Sequence, residues 1–235
     1  MTLIRIKEHG EEESVLGIAA LMWISHSERP LKVDELCHAL GVENGSTDLD
    51  GDNVLSKGTL LACCQGLVAV DKEAFTVRLI HFTLQEYLRA HPELFDRPHS
   101  TMAETCLSYL SSRQVRALSG NASPDLWNTP FLEYSSLYWG VHSKRDLSGC
   151  AKQLALRLFD DYGSHISVKI LLNEENPDYF HIYFAQLFLF SRVPNGPRKT
   201  GLDQLVRSKV KSGLMVEIRP TGQSGLWDPT QLGFV

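Results

Sequence analysis

The segment from residue 67 to residue 81 restricts the fold of this chain more than any other part of it. Apolar and polar residues alternate along its second half: Phe75, Thr76, Val77, Arg78 and Leu79. This is the two-residue period of a strand with one buried face. A shorter apolar run at 67–70 precedes it, with a polar turn around Asp71 between the two. The segment therefore predicts a hairpin of two short antiparallel strands.

Three helical patterns precede this hairpin, at residues 14–25, 33–40 and 57–65. The second helix is predicted to end at Gly41 and the third at Gly66, because glycine commonly terminates helices. A short extended segment at Leu31 fits a third, very short strand. Three helices with a small β hairpin predict a winged helix, a variant of the helix-turn-helix architecture, over residues 14–95.

A further helix is predicted directly after the hairpin, where Thr83 and Glu86 have the T-x-x-E spacing of a capping box. Its inward face is expected to consist of three residues: Leu84, Tyr87 and Leu88. His81 closes the preceding strand.

Helical patterns resume after the linker ELFDRPHS, at residues 101–111, 130–142 and 150–160. The first carries an apolar stripe: Met102, Cys106, Leu107 and Leu110. Large aromatic residues on helical faces are expected in the core: Trp23, Phe131, Tyr138 and Trp139. The fold class is thus mostly α with a small β wing, a winged helix followed by a helical array at 98–172. The apolar stretch 165–190 fits either a strand or a buried helix.

The tail differs in composition from the rest of the chain. Residues 191–235 hold seven Lys and Arg against three Asp and Glu, a net charge of +4, whereas the whole chain carries -5. The same 45 residues include six Gly and four Pro, which is typical of loops. We therefore predict an irregular tail over residues 173–235.

The overall acidity argues against a nucleic-acid binder that acts through bulk positive charge. No apolar run reaches the ~18 residues expected of a membrane span, and the polar start is unlike a secretory signal. The five cysteines include no C-x-x-C pair. Reduced core thiols in a cytoplasmic protein are the expectation.

No catalytic, metal or cofactor motif stands out. Asp48, Asp50 and Asp52 alternate as calcium ligands do, but Gly51 and Thr59 occupy the wrong places for a calcium loop. GQSG at 222–225 is one residue short of a nucleophile elbow. The glycine spacing of a P-loop is also missing. We expect no catalytic residues, no metal, no cofactor and no enzymatic activity.

The sequence CQGLVAVDKEAFTVRLIHFTLQEYL at residues 64–88 resembles the GPI inositol-deacylase winged-helix domain. This module follows the NACHT NTPase, a STAND-type ATPase, in fungal NLR-like proteins, many of which carry ankyrin repeats further on. Residues 20–36 resemble its first half, and residues 131–144 resemble the stretch that leads to the ankyrin repeats. The resemblance covers about residues 4–145.

In that family the winged helix packs against the nucleotide-binding module and helps to hold its resting state. The resemblance implies that Ile80, His81 and Phe82 occupy the M-H-D-like position, whose histidine reaches the nucleotide phosphates. Phe82 stands where the plant and animal motif has Asp. A nucleotide-sensing role for His81 requires a complete NTPase. The alternative for His81 is a histidine that bonds to local backbone.

The resemblance also implies that residues 1–13 are the remnant of a linker helix and that the NTPase module lies outside this chain. The expected function is a non-catalytic regulatory and connecting module. Its partners would be proteins: the NACHT module in cis or in trans, and ankyrin repeats. The ending GLWDPTQLGFV is compatible with ankyrin-coding bases read in a shifted frame, our interpretation of the tail.

Two alternatives remain. The first is a winged-helix DNA-binding protein, although the third helix offers one lysine, Lys57, and follows an acidic loop. The second is a free-standing protein-interaction adaptor that uses the helical array for docking.

Overall fold

A computed structural model describes residues 10–44, 46, 48–118, 128–160, 165–167 and 170. This part of the chain contains eight α-helices and two strands. In chain order they are α1 (Glu11–His26), α2 (Val33–Gly41), α3 (Lys57–Cys63), β1 (Val68–Val70), β2 (Val77–Leu79), α4 (Phe82–Ala90), α5 (Pro98–Ser111), α6 (Arg113–Arg116), α7 (Leu132–Arg145) and α8 (Gly149–Asp160). Single 3₁₀ turns lie at Gly51–Asn53 and Pro92–Leu94. The predicted winged helix followed by a helical array is confirmed.

The wing is an antiparallel pair in which Val68 lies opposite Leu79 and Val70 lies opposite Val77. The expected third strand is present as one isolated bridge between Lys32 and Thr76. It is held by two backbone hydrogen bonds, in which Val77 N–H donates to the Leu31 carbonyl at 2.8 Å and Val33 N–H donates to the Phe75 carbonyl at 3.0 Å. These bonds fasten the wing to the start of α2.

Two side chains of the predicted inward faces point outward. Phe75 is 66% exposed and has a φ of +55°, because the chain turns at this residue before β2 begins at Val77. Tyr87 is also exposed, while Leu88 is buried and Leu84 is half-buried. The inward face of α4 is thus narrower than its apolar pattern predicts.

The two predicted helix stops have different causes. Gly66 has a φ of +75° and follows Gln65 at +49°, so it turns the chain from α3 into β1 in the left-handed region that glycine favours. Gly41 is the last residue of α2, and a Cβ there would lie 2.7 Å from the backbone oxygen of Asn53. Gly41 is needed for close packing.

The helical array is built around α5, which packs against both α7 and α8. The predicted stripe of α5 is buried completely, and the neighbouring Ala103 and Tyr109 are buried as well. A helix that is surrounded on most sides in this way is the centre of a small bundle. The predictions for 101–111, 130–142 and 150–160 are confirmed with shifts of up to three residues at either end.

An aromatic cluster joins the winged helix to the array. The Trp23 ring meets the Phe131 ring edge to face at 5.5 Å and the Tyr134 ring at 6.0 Å. Phe131 in turn lies 5.2 Å from the ring of Tyr109. Trp23, Phe131, Tyr138 and Trp139 are all buried, so their predicted place in the core is confirmed.

The predicted domain limits stay predictions, although α1 begins at Glu11, inside the segment interpreted as a linker remnant. The tail at 173–235 lies outside the described residues. Of the five cysteines, Cys150 is exposed, so the prediction that all are core thiols is wrong for that residue. Within the described part of the chain, no helix combines the length and apolar character needed to cross a membrane.

Candidate functional site

The segment Ile80, His81 and Phe82, here called the wing-base surface, lies between the end of β2 and the first turn of α4. Ile80 N–H donates to the Leu67 carbonyl at 3.0 Å, which fixes the chain just after the strand. Ile80 is 54% exposed and Phe82 is 67% exposed, and His81 is exposed between them. The imidazole of His81 and the Phe82 ring lie 4.7 Å apart. Two large apolar side chains and an imidazole therefore form one accessible surface.

His81 is the N-cap residue of α4. Its Nδ1 accepts from Thr83 N–H at 3.2 Å and lies 2.8 Å from the Thr83 hydroxyl. The predicted capping box of Thr83 and Glu86 is wrong, because the helix begins at Phe82, two residues earlier than that pattern requires. The acceptor role of Nδ1 leaves the ring hydrogen of the neutral imidazole on Nε2. His81 thus bonds local backbone, and its Nε2 can donate to another molecule.

The surface available for DNA is not basic. The exposed face of α3 carries a single cation, Lys57. On the wing, Lys72 and Arg78 are offset by Asp71 and Glu73. Phosphate binding by counterion release needs a concentration of positive charge, which the described residues of α3 and the wing do not supply.

The acidic loop makes local bonds. The Asp50 side chain accepts from Asp52 N–H at 3.0 Å, and Asp48 forms an ion pair with Arg113 at 2.8 Å. Among the described residues, no group of three or more His, Cys, Asp or Glu side chains is placed to hold a metal ion. The alternating aspartates therefore serve as a turn and as a contact to α6.

A second polar assembly, which the sequence did not single out, lies where α1, α5 and α7 meet. We call it the junction cluster: His26, Glu28, His99, Tyr134, His142 and Arg145. The Nδ1 atoms of His99 and His142 are 3.0 Å apart, and the Tyr134 hydroxyl is 3.0 Å from His142 Nε2. The His26 ring meets the His99 ring at 5.5 Å, and Arg145 forms an ion pair with Glu28.

The environment of the junction cluster favours uncharged imidazoles. Burial, with the nearby Arg145 and His26, lowers the pKa of His99 to about 4. Burial, with the neighbouring His99 and Arg145, lowers the pKa of His142 to about 3. Burial also lowers the pKa of His26, against a backbone bond to Met22. A buried cation needs a partner, and these rings face one another and arginines.

Sequence reasoning missed this cluster for a definite reason. Its three histidines lie on three different helices, separated by as many as 116 positions. No local spacing relates them. Only the three residues on α7, Tyr134, His142 and Arg145, are spaced to lie on one helical face.

The comparisons with known proteins support the winged-helix part. Residues 7–104 match the model of the family described as GPI inositol-deacylase, winged helix domain. No curated protein and no solved structure matches the chain. The matched segment contains the wing-base surface and ends inside α5, so the resemblance is confirmed over the winged helix. The NACHT and ankyrin context stays a prediction.

Proposed function

We propose that this chain is a non-catalytic regulatory and connecting module, and that its winged helix binds a NACHT-type nucleotide-binding module in cis or in trans. The observation that carries the proposal is the wing-base surface, where Ile80 and Phe82 are exposed beside His81. Exposed apolar side chains grouped in this way are typical of protein contacts. They lie inside the segment that matches the winged-helix family.

The chemistry of the surface fits a protein partner that holds a nucleotide. Ile80 and Phe82 would be buried against the partner, and His81 Nε2 would donate to a phosphate or to a backbone carbonyl. The hydrogen bonds from Thr83 to Nδ1 hold the ring in place before binding. Such pre-organisation lowers the cost of ordering a side chain at an interface.

The proposed mechanism is packing. The winged helix would hold the nucleotide module closed, and the helical array would pass on the movement of a repeat domain. The contacts of Trp23 with Phe131 and Tyr134 support this transmission, because they make α1 and α7 parts of one core. A displacement of the array would act on the helix that supports the wing.

The experiment begins with the genomic DNA on both sides of the coding sequence. We expect a P-loop module upstream and ankyrin repeats downstream. A locus without a P-loop module would overturn the form in cis, and a genome without a NACHT-type module would overturn the proposal. The encoded P-loop module, loaded with a fluorescent ADP analogue, is then titrated with the full chain. We expect binding and slower release of the analogue.

Two variants test the surface. The double change Ile80→Ser and Phe82→Ser should weaken binding at least about tenfold, since two exposed apolar anchors are removed. The matched control is Val15→Ser, which alters an equally exposed apolar residue on α1 and should bind as the wild type does. Equal binding by all three proteins would contradict the proposal. A salt-dependent shift of duplex DNA by the full chain would favour the DNA-binding alternative instead.

A further inference from the structure

In the junction cluster, Arg145 determines which atom of each hydrogen bond is the donor. Arg145 Nη1 lies 3.5 Å from His99 Nε2, and a guanidinium can only donate. His99 Nε2 must therefore accept, so the hydrogen of the neutral His99 ring lies on Nδ1. Because His99 Nδ1 donates across the 3.0 Å contact, His142 Nδ1 is the acceptor.

His142 and Tyr134 continue the same order of donor and acceptor. With Nδ1 accepting, His142 carries its hydrogen on Nε2 and donates to the Tyr134 hydroxyl oxygen at 3.0 Å. This oxygen also accepts from Glu28 N–H at 3.2 Å. The neighbouring Ser27 hydroxyl donates to the Trp23 carbonyl at 2.5 Å, which closes the end of α1 beside the cluster.

This chain of bonds is satisfied only when both imidazoles are neutral. A proton added to His99 places an N–H opposite the Arg145 guanidinium. A proton added to His142 places an N–H opposite the Nδ1–H of His99. In the first case a cationic ring faces the cationic guanidinium, which is unfavourable. In the second case two donors face each other beside His142, which is fully buried, and a donor without an acceptor in such a place is costly.

We propose that the junction cluster is a proton-sensitive latch, which holds the helical array on the winged helix while His99 and His142 are neutral and releases it when either ring is protonated. The cluster is well placed for this function because it links the end of α1, through His26 and the nearby Glu28, to α5 and α7. The latch does not depend on which partner binds the wing.

The charges around the latch favour release in acid. Arg145 faces His99, and His26 faces both His99 and His142. Arg89 lies near His26 from α4. Two carboxylates oppose this effect, but Glu28 is paired with Arg145 and Asp146 is paired with Arg97 at 2.6 Å. No carboxylate of the described residues is hydrogen-bonded to either latch histidine.

The lowered pKa values of His99 and His142 give the direction and the size of the effect. The closed latch binds fewer protons than the open one, in which the rings regain an ordinary pKa near ~6.5. Each histidine therefore multiplies the ratio of open to closed molecules by about tenfold per pH unit between about pH 6 and pH 4.5.

The first test is the tautomeric state of the rings in the full chain, measured by long-range ¹H–¹⁵N correlation spectroscopy at pH 7. We expect the Nδ1–H form for His99 and the Nε2–H form for His142. Any other pair of forms, including a protonated ring, would overturn the latch. This measurement needs no variant and so cannot fail for lack of folding.

The second test is hydrogen exchange of the full chain at pH 7 and pH 5, corrected for the intrinsic pH dependence of exchange. We expect residues 20–29 and 131–146 to lose protection in acid before α2 and α3 do. His99→Gln removes one titrating ring. It should reduce the acid-induced change in the ratio of open to closed molecules by about tenfold per pH unit. The matched control is His91→Gln, a surface histidine outside the cluster, which should behave as the wild type does.

Two results would overturn the latch. One is junction protection that does not depend on pH. The other is a loss of protection that is uniform over the described helices, because uniform loss is global unfolding. Should His99→Gln fail to fold, the wild-type and His91→Gln comparison still gives both results.

Discussion

Arg29 and Glu35 form a two-pronged ion pair between the segment that follows α1 and the first turn of α2. Arg29 Nη1 lies 2.8 Å from Glu35 Oε2, and Nη2 lies 2.7 Å from Oε1. Glu35 is only 1% exposed, and it also accepts from Lys32 N–H at 2.7 Å. Arg29 reaches Glu133 on α7 at 3.4 Å and lies 5.3 Å from the centre of the Tyr134 ring. One guanidinium thus ties the winged helix to the array.

Removal of this guanidinium should destabilise the protein strongly. Although burial works against its charge, the bonds to Glu35 keep the pKa of Arg29 above its ordinary value. Arg29→Ala leaves the buried Glu35 carboxylate without its partner, so we expect a loss of about 3 kcal/mol in the free energy of unfolding. Urea denaturation at pH 7 measures this loss.

The control for Arg29→Ala is Arg113→Ala. Arg113 also pairs with a carboxylate, that of Asp48, but both side chains are largely exposed. We expect a loss below about 1 kcal/mol. Equal effects of the two substitutions would show that burial of Glu35 does not matter.

Gly41→Ala should also destabilise the protein. The added Cβ would lie 2.7 Å from the Asn53 backbone oxygen and 3.1 Å from the Cα of Val54, so α2 or the loop must move. We expect a loss of about 1–3 kcal/mol, measured by thermal or urea unfolding. Helix propensity alone predicts that the free energy of unfolding rises by up to about 1 kcal/mol. A measured rise would therefore refute the packing explanation.

Gly58→Ala is the matched control on α3. The nearest atom to its added Cβ is the Ser56 Oγ at 3.6 Å, which is ordinary contact. Alanine is preferred to glycine in a helix, and here it meets no clash. We therefore expect Gly58→Ala to raise the free energy of unfolding by about 0.5–1 kcal/mol.

The stability of the whole protein should fall as the pH drops from about 6.5 towards 4. In the folded state the pKa of His99 is about 4 and that of His142 is about 3, both lowered mainly by burial. The unfolded chain therefore binds more protons over this range, and acid favours it by up to about 1.4 kcal/mol per pH unit for each histidine. Urea midpoints at pH 7, 6 and 5 should decrease in that order, and a constant midpoint would contradict the neutral, buried rings.

The thiols should differ sharply in reactivity. Burial raises the pKa of Cys37 to about 11 and that of Cys64 to about 12, and it also raises the pKa of Cys63 and Cys106. Cys150 is exposed. With a disulfide reagent at pH 7.5 we expect one fast thiol in the native chain and five in denaturant. Cys150→Ser should remove the fast phase, and several fast thiols in that variant would contradict the buried positions.

The periodic patterns predicted the elements well because they depend on local residue spacing. The alternation around Val77 predicted β2, and the stripe from Met102 to Leu110 predicted α5. Errors occurred where a neighbouring element decides the outcome. Phe75 keeps to the alternating pattern yet lies in a turn, and Thr83 has the spacing of a cap while His81 occupies that position.

For the candidate site, the sequence located the wing-base residues but not their exposure, which depends on how α4 leaves the wing. Ile80 and Phe82 could equally have been core residues by their chemistry. Their exposed fractions follow from the tertiary arrangement alone.

The sequence by itself determined the order of helices and strands and the winged-helix class, because apolar periodicity is a property of neighbouring residues. The tertiary structure alone decided that His26, His99 and His142 meet, that Arg29 neutralises a buried glutamate, and that Gly41 must lack a side chain. These relationships join residues far apart in the chain or in different elements. Their distances, and therefore their charges and bonds, exist only after the helices have packed.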